Sequence, residues 1–143
     1  MADWAHTSAG AVQLIHDRTR HVIAGSVELA LNRRARRIGL LGRTGIEATE
    51  ALVLAPCFAV HTAFMRFPID VLFVDRYGRA LRVVHTLKPW RAAVSTPAYA
   101  AVELAAGVLG HHGVMVGDHL HLELAAPDGR SVRLQPDLDT RSC

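Results

Sequence analysis

Asp70 stands in Ile69-Asp-Val-Leu-Phe-Val74, a run in which every other residue is apolar. In an extended chain successive side chains alternate, so Asp70 shares a face with Leu72 and Val74 while Ile69, Val71 and Phe73 take the other. A carboxylate on an apolar face must be hydrogen-bonded, paired or protonated, because burying it bare is costly. The structural reading, which is preferred, has Asp70 cap the Phe67-Pro68 turn or pair with Arg66 or Arg43. The functional reading makes it a binding or acid-base group in a pocket, where perturbed carboxylates cluster. Asp75, next to a turn, reads as a solvated turn residue.

Cys57 and His61 raise thiol-imidazole chemistry, in which the imidazole lowers the thiol pKa and frees a thiolate. Four residues bring the two together only on a helical turn. In a strand they share a face but lie ~13 Å apart, too far for proton transfer. Pro56 could open such a turn, but β-branched Val60 and Thr62 favour extended chain, so a structural cysteine is preferred. His119 and His121 would project from one strand face and could chelate zinc or copper, with Asp118 as a further ligand and His111-His112 nearby. A solvated strand face is the preferred reading, and no metal or other cofactor is expected. Trp90, between Pro89 and Arg91, would suit stacking on a ligand or partner if exposed, although a core or edge-covering role is slightly preferred. Arg33, Arg34, Arg36 and Arg37 could grip phosphates, yet no aromatic residues interleave them and no nucleic-acid motif accompanies them. No phosphate-binding glycine loop, Gly-x-Ser-x-Gly elbow or His-Glu-x-x-His helix occurs.

The elements that must position these residues are mostly short strands. Ala11 to Ile15 and Arg20 to Ala24 read as an irregular hairpin, and Ser26 to Leu31 as a half-buried strand. Asn32 is placed to cap a helix over Arg33 to Leu41 that Gly42 would end, with Ala35, Ile38 and Leu41 inward and the four arginines covering the outside. Ala51 to Ala55 is a strand stopped by Pro56. Asp70 to Val74 and Arg79 to His85 flank a turn at Asp75 to Gly78. Tyr99 to Leu104 is a further strand. His119 to Ala125 and Arg130 to Leu134 flank a second turn at Ala126 to Gly129. Gly117-Asp118 reads as an architectural turn into the first of these. Seven or so strands with one principal short helix predict an α+β fold, mainly antiparallel β, arranged as a small closed or half-closed barrel-like sheet.

At 143 residues the chain fits one domain over 1–143, with flexible tails expected at 1–10 and 136–143. Half of its residues are hydrophobic, enough for a core without disulfides, and its two cysteines, Cys57 and Cys143, cannot make a disulfide framework. The net charge of +3 is mild, and Lys88 is the only lysine among 16 basic residues, an arginine bias that reads as genome composition. Nucleic acid is therefore not expected as a partner. No apolar run is long enough to span a bilayer. The opening residues, Met1-Ala-Asp-Trp-Ala-His-Thr, lack a basic stretch leading into an apolar core, so a cytoplasmic location is expected.

Met65-Arg-Phe-Pro-Ile-Asp-Val-Leu-Phe-Val-Asp75, followed by Arg-Tyr-Gly78, resembles the signature stretch of the domain-of-unknown-function 192 family. Val27-Glu-Leu-Ala, Gly39-Leu-Leu-Gly-Arg43, Leu87-Lys-Pro-Trp-Arg91, Val102-Glu-Leu-Ala-Ala-Gly107 and Gly113-Val-Met-Val-Gly-Asp118 agree with that family in order and spacing. The resemblance covers roughly residues 26 to 124, and Pro56 to Met65 resembles one branch of it. It implies a compact, mainly β domain of bacterial or archaeal kind, many relatives carrying an export or lipoprotein signal, and it implies no established reaction.

The residues then point to a non-catalytic binding or accessory domain for a small polar ligand or a protein segment. Its face would be bordered by His61, Thr62, Met65, Arg66, Asp70 and Trp90. The alternatives are a hydrolase or transferase using Asp70 and His61, with Cys57 as nucleophile, and a purely structural assembly component.

Overall fold

A computed structural model describes residues 11–134. The expectations for tails at 1–10 and 136–143, and for Cys143, lie outside the described residues. Eleven strands and two short helices occur among those described. They are β1 (Val12–His16), β2 (Val22–Ala24), β3 (Ser26–Ala30), α1 (Arg33–Ile38), β4 (Glu50–Leu54), β5 (Ala59–His61), β6 (Ile69–Val74), β7 (Ala80–Leu87), β8 (Ala92–Val94), β9 (Ala100–Ala105), α2 (Val108–His111), β10 (Leu120–Ala125) and β11 (Ser131–Leu134).

The strands form a four-stranded sheet in the order β11-β10-β1-β2, a five-stranded sheet in the order β3-β4-β9-β6-β7, and a two-stranded β5-β8 ribbon. All ladders are antiparallel except β3-β4, which is parallel because α1 and its flanking loops return the chain to the same end of the sheet. The fold is thus α+β and mostly antiparallel, as its turns and alternation predict. The ladders do not close on themselves, so a closed hydrogen-bonded barrel is not formed among the described residues. The two larger sheets meet where Arg79 bridges His119 and the Leu120 amide donates to the Gly78 carbonyl at 2.9 Å. Gly78 (φ +83°) sits so close to Leu120 that a Cβ would clash with its carbonyl oxygen, which is why glycine ends this turn.

The five-stranded sheet is buried on both faces, which explains the unbroken apolar runs of β4, β6 and β9. One face packs Leu72, Val74, Val102 and Leu104 against Leu14, Ile23 and Leu120 of the four-stranded sheet. The other packs Leu52, Val71, Phe73 and Ala101 beneath Leu40, Met65 and the inner residues of the ribbon, Val60 and Ala93. No helix among the described residues is long and apolar enough to cross a membrane.

Helix α1 is shorter than its sequence predicts. Asn32 Oδ1 accepts from the Ala35 amide at 2.8 Å, as expected of an N-cap, but the helix stops at Ile38. Gly39, at φ 47° and ψ −123°, ends it three residues before Gly42, in a conformation that only glycine adopts readily. No helix residue is buried, and Ile38 is exposed rather than inward. Leu40, just past the helix, supplies the buried contact instead.

Candidate functional site

Asp70 is fully buried and fully satisfied. Its Oδ1 accepts from the Thr86 amide at 2.8 Å, and its Oδ2 from the Gly107 and Leu109 amides, each at 3.0 Å. It therefore ties the end of β7 and the turn into α2 onto the central sheet. The expected partners, the Phe67-Pro68 turn and Arg66 or Arg43, are not used. Arg43 pairs instead with Glu28 at 2.7 Å, and Arg66 is exposed.

The six residues expected to border one face do not converge on one site. Thr62 is buried and acts as a clamp. Its Oγ1 donates to the Lys88 carbonyl at 2.6 Å and accepts from the Arg91 amide at 2.9 Å, while its carbonyl accepts from the Trp90 amide at 3.0 Å. The clamp presents Trp90 and Phe64, both strongly exposed, with ring centroids 4.6 Å apart. Their φ values, 63° and 66°, lie in the left-handed region that bulky side chains seldom occupy. Trp90 is thus an exposed aromatic, not the core or edge-covering residue preferred from sequence.

His61 and Met65 do line one cleft, together with Glu103, which is not among the residues expected there. The cleft, of about 250 Å³, lies between α1 and the β5 segment. Arg33, Arg36 and Arg37 line its α1 side, where the sequence pattern predicts that the helix arginines largely cover the outside. The 33, 36, 37 spacing puts these three on one helical face. Arg36 also pins the helix, donating to the Leu31 carbonyl at 2.8 Å and the Ala55 carbonyl at 3.2 Å. Leu40, Leu54, Val60 and Met65 supply apolar wall, and Cys57 and His61 complete the opposite side.

Glu103 forms the floor. It sits at the middle of β9, the central strand of its sheet, in register with Leu52 on one side and Val71 on the other. Only 4% of it is exposed, and its Oε2 is the one buried side-chain oxygen or nitrogen among the described residues with no hydrogen-bond partner. Burial pushes its carboxyl up to about 7, against the pull of the Arg43 guanidinium. The signal was present in the sequence: Glu103 alternates with Ala101 and Ala105 on one face of an apolar strand, the same reasoning that singles out Asp70.

Cys57 precedes β5 and its Sγ donates to the Ala59 carbonyl at 3.1 Å. Burial, with a smaller push from the Glu103 carboxylate, raises its thiol pKa. The chain is extended from Ala59 to His61, not helical, so the turn that would bring Cys57 and His61 together is not formed. The thiol is therefore held protonated, the reverse of an activated nucleophile.

The expected His119 and His121 pair is divided between two environments. His119 is exposed at the Arg79 bridge. His121 is buried, with Nδ1 against Asp17 and Nε2 2.7 Å from Glu123 Oε1. His16 Nε2 engages Asp118 Oδ2 at 2.9 Å. Among the described residues no three His, Cys, Asp or Glu side chains are grouped to hold a metal ion.

The sequence model of a family described as "Uncharacterized ACR" matches residues 13–122. Two solved structures share the fold. A protein of unknown function from Novosphingobium aromaticivorans is 22% identical with a TM-score of 0.66, over 76% of this chain and 81% of that one. A candidate transcription regulator from Sinorhizobium meliloti is 24% identical with a TM-score of 0.68, over 78% of this chain and 91% of that one. No curated protein matches the chain.

Proposed function

The chain belongs to the domain-of-unknown-function 192 family, and on that premise we propose that it is a non-catalytic binding domain whose ligand is a small polar molecule held in the cleft between α1 and β5. The observation that carries this reading is the unpartnered Oε2 of Glu103 at the cleft floor. A buried acceptor left without a donor costs about 1–3 kcal/mol, and more when charged. Such a group calls for an explanation, and a small molecule in the cleft that supplies the missing donor is the one this reading adopts. At about 250 Å³ the cleft is just below the ~300–1,000 Å³ of sites for drug-sized ligands, so its occupant is metabolite-sized.

The enzyme alternative has less support. Its acid, Asp70, is spent on three backbone amides, and its nucleophile, Cys57, has a raised thiol pKa. Recognition of a protein segment draws on a separate observation, the exposed Phe64 and Trp90 rings held in left-handed backbone.

The test is a screen of small acids, alcohols and amines by ¹H–¹⁵N spectra of the labelled protein. Hits should shift the amides of Leu40, Cys57, His61 and Glu103 together. Hits that cluster elsewhere, or a screen that moves none of these amides, would overturn the reading.

A further inference from the structure

The cleft is lined by two chemically opposite kinds of group. On its α1 side are Arg33, Arg36 and Arg37, three cations for which no ion pair forms among the described residues, with Arg33 and Arg37 exposed. From β9 comes the Glu103 carboxyl, 4% exposed, with one oxygen unpartnered. Leu40, Val60 and Met65 add apolar wall. The opposite charges do not neutralise each other directly.

A neutral ligand would make no use of the arginine charges, and a plain anion would leave Glu103 unsatisfied or repel it. A plain amine would bring a like charge to the arginines. We propose, resting on the reading of this cleft as a ligand site, that its occupant is a small zwitterion: an anionic carboxylate or phosphate held by Arg33 and Arg37, and a primary amine reaching Glu103. Arginine is suited to the anionic group because its planar fork matches carboxylate and phosphate oxygens with two parallel bonds. A primary ammonium suits Glu103, since it brings three donors on a compact head to an oxygen that has none. Arg36 is partly committed to backbone carbonyls, which leaves Arg33 and Arg37 as the grip.

Linking two weak contacts in one molecule makes the second intramolecular, so the zwitterion should outbind either half well beyond their separate affinities. Calorimetry with four probes reads this: inorganic phosphate, ethanolamine, phosphoethanolamine and 4-aminobutyrate. At least one of the two zwitterions should bind tenfold or more tightly than phosphate and ethanolamine alone. Phosphoethanolamine taking the lead assigns a phosphate to the arginines, and 4-aminobutyrate a carboxylate. The gain should vanish in Glu103→Gln, which keeps the shape of the side chain and removes its charge, and in Arg33→Gln/Arg37→Gln. Pairing with the amine should also ionise Glu103, so binding near pH 6.5 should release protons in the wild type and not in Glu103→Gln, read from the dependence of the heat on buffer.

Neither zwitterion exceeding its halves, or a gain that survives Glu103→Gln, would overturn the inference. If the fragment screen still finds the cleft in that case, the ligand site stands and only the ligand class falls. A screen that finds nothing there removes both.

Discussion

Asp70 and Glu103 are both acids with almost no exposure in the same sheet, yet they have opposite surroundings. Asp70 accepts three backbone amides, so its hydrogen-bonding capacity is used inside the fold and its place is structural. Glu103 has the sheet's second apolar core around it and an oxygen without a partner. The sequence put Asp70 under suspicion correctly as a buried acid, but alternation cannot say whether the facing loop offers amides. Those amides come from Thr86, Gly107 and Leu109, 16 to 39 residues away. Asp70→Asn places an amide NH₂ against at least one of these donors, so it should lower stability by roughly 2–3 kcal/mol in urea unfolding. A loss of ligand binding in that variant would be secondary to the unfolding, whereas Glu103→Gln should leave the fold intact.

At the scale of elements, α1 and the β5-β8 ribbon make the two walls that matter, and both were hard to read. The helix is six residues long and buries none of them fully, so its tie to the body rests on Ala35 packed against the second core and on Arg36 donating to the distant Ala55 carbonyl. Strands β5 and β8 have three residues each, too short for alternation to stand out in the sequence. Beside their three-residue ladder stands Thr62, whose hydroxyl both donates and accepts across to the 88–91 segment. Thr62→Val keeps the volume and leaves the Arg91 amide and Lys88 carbonyl without their partner. The expected cost is about 2 kcal/mol, with Thr62→Ser close to wild type. The same lesion should loosen the turn that holds Trp90, seen as a loss of the Phe64–Trp90 ring-current shifts.

For the whole molecule, two sets of acids pull stability in opposite directions with pH. Glu103 has its pKa raised from 4.5 to about 7, so the folded state holds a proton that the unfolded state gives up first. Its contribution is therefore present below about 4.5 and lost as pH rises to about 7, by roughly 3 kcal/mol. Asp118 and Glu123 have lowered pKa values, chiefly through hydrogen bonds from His16 and His121. Asp17 is also lowered, since His121 and Arg133 together outweigh the effect of its burial. These three contribute above their unfolded pKa values and lose that contribution as pH falls through the folded ones. Urea unfolding across pH should thus show a maximum on the acid side of neutrality and a decline toward pH 7. Glu103→Gln should flatten that decline; a variant with an unchanged slope would mean that Glu103 is not the buried proton. By itself the sequence determined most of the longer strands, both hairpin turns and the helix cap, because alternation, turn chemistry and capping act within a few residues, and its motifs in order and spacing pointed to the family. Which acid is satisfied, which arginines face a cleft and whether Cys57 meets His61 were decided only by the tertiary structure. Those outcomes depend on strand register and on amides and side chains brought from distant parts of the chain, and local spacing holds no record of either.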